Sequence, residues 1–208
     1  MNSQAKPSAR SIKPAIVAAF AAAAFSLAGC TDAPEPLSEA PLAGADIGGD
    51  FTLTNQSGER VSWADFRGTH TIVYFGFTYC PDICPTDMQR MAQGRRIAAE
   101  RDPEIEYKVK PVFITVDPER DTPEVVGEFV SAFDDDIVGL TGTEEEIAAA
   151  ASAFRVYYSR GEDTPGGGYL VDHSAIVYLF GPDGEPVATL PTDRGAEAVA
   201  DEIERWVR

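Results

Sequence analysis

The run TIVYFGFTYCPDICPTD, residues 71–87, constrains this chain more than any other segment. From Thr71 to Phe77 it is a short, continuous, β-branched and aromatic stretch, which predicts a buried strand. Pro85 then marks the opening of a helix, since proline is tolerated in a first helical turn. Cys80 and Cys84 fall at this junction, so two sulfurs arrive together at one edge of a sheet. If the segment turns helical after Cys80, positions i and i+4 share a face about 6 Å apart. That separation suits chelation of one ion or, after a small adjustment, closure of a disulfide, and both chemistries stay open. A helix N-terminus favours thiolate, whereas Asp82 and Asp87 oppose it locally.

The chain has 3 cysteines in 208 residues. The third, Cys30, follows a leader in which Lys6, Arg10 and Lys13 precede an alanine-rich apolar segment, Ala15 to Ala28. That segment is short for a membrane span and reads as an export signal. Leu27-Ala28-Gly29-Cys30 resembles a bacterial lipoprotein box, which implies removal of residues 1–29 and lipidation of Cys30. Two acyl chains give stable anchoring. The expectation is a domain tethered in the periplasm of a bacterial cell envelope, at the inner membrane. The mature domain then keeps only Cys80 and Cys84. A domain of this size needs no disulfide to fold, and so small a loop would stabilise it little, so the pair is read as functional.

The formal net charge is −17, and loss of the leader removes three cations and no acids. Such a balance argues against nucleic acid and against electrostatic attraction to anionic headgroups. It suits solubility or a basic partner.

Residues 30–46 are rich in Pro, Ala and acids without periodicity, the composition of an extended linker. The folded domain is expected over 47–208. It opens with a β-hairpin, Phe51–Thr54 and Glu59–Ser62, with Gly58 in the turn. After the cysteine turn, a helix is expected from about Pro85 to Arg101 and a strand from Tyr107 to Val116. Helix Thr122–Phe133, strand Ile137–Leu140 and helix Thr143–Phe154 follow, the last with a capping box from Thr143 and Glu146. Strand Val171–Phe180, a Gly181-Pro-Asp-Gly184 turn, strand Pro186–Leu190 and helix Arg194–Val207 close the domain. Alternating strands and helices ending in a hairpin and helix predict an α/β domain with a mixed β-sheet flanked by helices. A dithiol at the carboxyl end of its first βα strand makes the arrangement thioredoxin-like, and ligands gather at such strand ends.

Three separated motifs then carry a resemblance: Cys80-Pro-Asp-Ile-Cys84-Pro85 after YFGFT, Val116-Asp-Pro-Glu-Arg-Asp-Thr122, and Asp172-His173-Ser174. In this order they resemble the Sco/SenC proteins, membrane-anchored thioredoxin-like copper proteins of cytochrome c oxidase assembly. The resemblance runs from about Ile47 to the C-terminus. It implies that Cys80, Cys84 and His173 bind one copper ion, and that the chain is a metallochaperone supporting maturation of the CuA site. The implied partners are the CuA-bearing oxidase subunit or another copper acceptor, with a periplasmic copper donor or thiol reductant upstream. Two thiolates suit Cu(I), and an imidazole keeps Cu(II) acceptable. A structural zinc site would want a fourth protein ligand, and none is evident.

The rival reading is a periplasmic thiol-disulfide oxidoreductase in which Cys80 and Cys84 form a redox dithiol. Three intervening residues in place of two, and Ser174-Ala175 where thioredoxin-type reductases place a proline, weigh against it. Asp117 and Arg120, on the cysteines' sheet edge, are candidates for an outer shell. Asp172 is a candidate for orienting the imidazole, while Asp121 and Thr122 look like helix-cap residues. His70 is expected in a solvated turn, without a role.

Overall fold

The computed structural model describes Met1 and residues 35–164 and 168–207. The leader and Cys30 lie outside the described residues. A seven-stranded mixed sheet forms the centre of the domain. Its strands are β1 (Thr52–Asn55), β2 (Arg60–Ser62), β3 (His70–Gly76), β4 (Val109–Thr115), β5 (Val138–Thr141), β8 (Val177–Phe180) and β9 (Pro186–Leu190), in the order β2-β1-β5-β4-β3-β8-β9. A separate hairpin pairs β6 (Tyr158–Thr164) with β7 (Gly168–His173). The helices are α1 (Ile83–Arg101), the single turn α2 (Ile105–Lys108), α3 (Pro123–Ser131), α4 (Glu144–Ala153) and α5 (Ala196–Trp206).

β3 lies between β4, which is parallel, and β8, which is antiparallel. Every residue of β3 is buried, as its unbroken apolar run requires of a strand covered on both faces. Tyr74 lies against its register partner Phe113, which meets Phe129 of α3, and its hydroxyl donates to Asp87 of α1 at 3.2 Å. The adjacent Phe75 points the other way, into an aromatic cluster with Phe154, Trp63 and Phe180. α1 packs along α5, and a Cβ at Gly94 would lie 2.4 Å from Val199. A glycine is therefore needed where the two helices touch.

The N-terminal hairpin forms as expected. Asn55 Oδ1 accepts from the N–H groups of Ser57 and Glu59, and Gly58 takes a φ of +81°, the left-handed conformation glycine adopts freely. The capping box of Thr143 and Glu146 is likewise present. The folded body takes in residues ahead of Ile47, since Ala40 is buried and Leu42 N–H donates to Val187 O.

Two expectations are corrected. His70 is buried at the start of β3 rather than solvated, because the apolar run draws its first residue into the sheet. The single strand foreseen over Val171–Phe180 is two strands in different sheets, joined by residues 174–176. Tyr169 and Val171 are buried and alternate with exposed Leu170 and Asp172, whereas β8 is buried throughout. The change from half-buried to fully buried marks the chain's passage from hairpin to sheet. β6, with its polar sequence YSRGEDT, gives no apolar alternation and is not legible without its partner.

Candidate metal centre

Cys80 lies in the turn after β3 and is partly exposed, while Cys84 enters the first turn of α1 and is buried. Cys84 N–H donates to Cys80 Sγ at 3.3 Å, which folds the turn about the first sulfur. Both are free thiols. A Cβ at Gly76 would lie 3.2 Å from Cys84 Sγ and 3.1 Å from the Tyr74 and Phe113 rings. Glycine at this point of β3 therefore makes room for the buried sulfur. Burial, with Cys80 close by, pushes the Cys84 thiol well above its ordinary range.

His173 ends β7 and closes the site from the opposite side. Its Nε2 lies 3.1 Å from Cys84 Sγ, and its Nδ1 lies 3.2 Å from Ser174 O. A carbonyl oxygen only accepts, so Nδ1 carries the proton and the Nε2 lone pair faces the sulfurs. The ring sits edge-on to Phe77 and Tyr74, at centroid distances of 5.9 and 6.1 Å. Burial lowers its pKa, which keeps it neutral, the form that binds metal.

The three ligand atoms all lie within 4.8 Å of one another, the one cluster of potential metal ligands found among the described residues. A cleft of about 280 Å³, lined by Cys80, His173, Ile83 and Leu170 among others, opens onto it. Two sulfurs and one imidazole nitrogen fit copper in either oxidation state. A partly exposed ligand leaves a route for exchange.

The remaining sequence candidates take different places. Asp172 is exposed, and the group at Nδ1 is the Ser174 carbonyl, so the Asp172 charge acts on the ring through space. Asp117 is buried, accepting from Arg120 Nε at 2.5 Å and from the Tyr169 hydroxyl at 2.7 Å. Asp121 does more than begin a helix. Its carboxylate accepts from Thr78 N–H at 3.0 Å, Thr78 Oγ1 at 2.6 Å and Thr115 Oγ1 at 2.5 Å, tying the cysteine turn to the end of β4. Thr122 alone caps α3. The sequence reading missed Tyr169 and this role of Asp121. Alternation in GYLVD signals that Tyr169 faces inward, but nothing local names its partner.

A family model, SCO1/SenC, matches residues 39–208. The chain belongs to the SCO1/SenC family. It is 46% identical over 140 residues to the human mitochondrial protein SCO1 homolog, covering 67% of this chain and 46% of that one. It thus spans about half the length of that curated relative. The solved structure of Bradyrhizobium japonicum ScoI with copper bound is 37% identical, with a TM-score of 0.70, covering 77% of this chain and 99% of that one. A SCO1/SenC family lipoprotein from Bacillus anthracis is 25% identical, with a TM-score of 0.63 and coverage of 76% and 91%. These structures share the thioredoxin-like mixed sheet flanked by helices. No helix among the described residues is long and apolar enough to cross a membrane.

Proposed function

We propose that this SCO1/SenC chain is a copper metallochaperone that carries one ion on the Cys80 and Cys84 thiolates and His173 Nε2, and passes it to the CuA-bearing subunit of cytochrome c oxidase. The observation that carries this reading is the convergence of the three donors within 4.8 Å, with Nε2 left unprotonated by the Nδ1–Ser174 contact and its lone pair toward Cys84 Sγ. The cargo copper supplies the charge that makes a buried thiolate tenable at Cys84. Both thiols lose their protons on loading. His173 adds a harder donor that stabilises Cu(II) relative to Cu(I). Three donors, one of them partly exposed, leave the ion open to an acceptor's incoming ligand, and transfer proceeds as protein ligands are replaced one at a time.

The Bradyrhizobium protein is described as copper-bound and the Bacillus one as a lipoprotein, which supports copper as cargo and, with Leu27-Ala28-Gly29-Cys30, a lipid anchor at Cys30. In this reading residues 1–29 are removed as a signal, the stretch after Cys30 links the anchor to a folded body that already includes Ala40 and Leu42, and the domain works in the periplasm at the inner membrane. The human relative is mitochondrial by name. Membership of the SCO1/SenC family supports an oxidase acceptor.

The test titrates the reduced chain with Cu(I) and Cu(II), in parallel with Cys80→Ser, Cys84→Ser and His173→Ala. Each serine variant should lose stoichiometric Cu(I). His173→Ala should lose Cu(II) and its thiolate charge-transfer colour while keeping Cu(I) and dithiol exchange. A His173→Ala variant that binds Cu(II) like the parent would refute the ligand set.

A second reading is favoured by the unequal exposure of the two thiols. As a reductase, the chain would attack a partner's disulfide with the accessible Cys80 sulfur, forming a mixed disulfide and releasing one partner thiolate. Cys84 Sγ would then attack Cys80 Sγ, releasing the second partner thiolate. Two electrons pass to the partner, and the chain is left with a Cys80–Cys84 disulfide. Brisk reduction of a model disulfide, with no stoichiometric copper binding, would favour this reading over the carrier.

A further inference from the structure

We propose that Tyr169, Asp117 and Arg120 form an anchor that sets the position of His173 relative to the two thiols, and so governs how strongly the chain holds Cu(II). The proposal rests on the copper-carrier reading above. Among the described residues β6 and β7 pair only with each other, so no ladder of backbone hydrogen bonds between those residues fixes this hairpin to the sheet that bears the cysteines. A two-stranded hairpin is by itself barely stable. Its placement must come from side chains.

Residues i, i+2 and i+4 of a strand share one face, which puts Tyr169, Val171 and His173 on the same side of β7. Tyr169 and Val171 are buried on that side. Tyr169 therefore stands at one end of a short lever and the imidazole at the other. The Tyr169 end is fixed at several points. Its hydroxyl donates to Asp117 Oδ1 at 2.7 Å, its carbonyl accepts from Arg120 Nη1 at 2.9 Å, and its ring lies 3.7 Å from Arg120 Cζ.

Arg120 also reaches the other half of the site. Besides its 2.5 Å contact with Asp117, the guanidinium lies 4.9 Å from the Tyr79 ring and 5.9 Å from the Phe77 ring. Tyr79 immediately precedes Cys80, and Phe77 packs edge-on against the His173 ring. One planar cation thus touches both ligand-bearing segments, by stacking that lysine cannot reproduce. Its Nη2 is buried with no hydrogen-bond partner among the described residues, so the side chain is held here at a desolvation cost. Groups that orient a ligand from behind typically change metal affinity roughly 10- to 100-fold when removed.

The experiment titrates the reduced chain with cupric ion and, separately, cuprous ion, in Tyr169→Phe and Arg120→Leu and in each combined with His173→Ala. Tyr169→Phe keeps the ring and loses only the hydroxyl, so it preserves packing should Arg120→Leu fail to fold. The expected result is a Cu(II) affinity roughly 10- to 100-fold lower, a weakened or shifted thiolate-to-Cu(II) band, and Cu(I) affinity within about twofold, because the soft thiolates dominate Cu(I) binding. Added to His173→Ala, either substitution should change nothing further. Unchanged Cu(II) affinity and spectrum in folded Tyr169→Phe overturn the anchor. So does a fall in Cu(I) affinity as large as the fall in Cu(II) affinity, or an equal fall in Cu(I) affinity with and without His173, which marks a role in the fold alone. If His173→Ala by itself binds Cu(II) like the parent, the ligand set fails first and the anchor with it, an outcome distinct from both.

Discussion

The cysteine turn and the histidine hairpin meet at one site, yet they are held in place by different physics. Cys80 and Cys84 hang from β3, a fully buried strand paired on both sides, and Thr78, in the turn leading to Cys80, is laced to Asp121. His173 ends a hairpin whose strands, among the described residues, pair only with each other. One half of the site inherits the rigidity of the core, and the other depends on a few side-chain contacts. In the proposed carrier this division is useful. The two thiols proposed to retain Cu(I) are preorganised by the core, while the imidazole proposed to favour Cu(II) sits on a hairpin outside the main sheet.

The largest expected effect is in native-state hydrogen exchange. Opening free energies range from near zero to the global stability across one protein, and the amides of Ile72–Phe75 should approach the upper limit. Those of Tyr169–Val171 should exchange orders of magnitude faster, and equal protection of the two segments would erase the contrast. Next is Asp121→Ala, which leaves the Thr78 amide and the Thr78 and Thr115 hydroxyls without their acceptor. A loss of about 3 kcal/mol in denaturant-measured stability is expected, on the scale of a broken buried network. The cysteine turn should loosen, with Cu(I) affinity falling alongside stability.

Gly76→Ala probes the same half more gently. Its new methyl meets Cys84 Sγ and two rings at 3.1–3.2 Å, so a cost of about 1–3 kcal/mol is expected from overpacking. Cu(I) affinity should respond before the His173-dependent Cu(II) colour does. The smallest effect lies away from both halves. The hydrogen bond from Arg60, and then the Thr143 N–H, hold the Glu146 carboxyl below its usual range. Its contribution is complete above about pH 4.3, the ordinary glutamate value, and is lost as pH falls through the lower folded value. Glu146→Gln should therefore melt slightly below the parent at neutral pH and converge with it in acid, with copper binding unchanged throughout.

Much of this was legible in the chain before any coordinates. Continuous apolar runs marked β3 and β4, the Asn55–Gly58 turn marked the first hairpin, and Thr143 with Glu146 marked the start of α4, because each of these rests on contacts within a few residues. The cysteines declared themselves by their spacing at a strand-to-helix junction. His173 was reached through resemblance, since a lone histidine carries no local signal of ligation.

Short-range periodicity and turn chemistry specify the mixed sheet, its flanking helices and the dithiol at a strand end. Tertiary structure alone decided that His70 is buried, that residues 158–173 leave the sheet as a separate hairpin, that Asp121 braces the cysteine turn, and that Tyr169 meets Asp117 and Arg120. Those pairings join residues some 40 to 50 positions apart. Such contacts depend on how the hairpin and turn pack in space, and no pattern within a few residues encodes them.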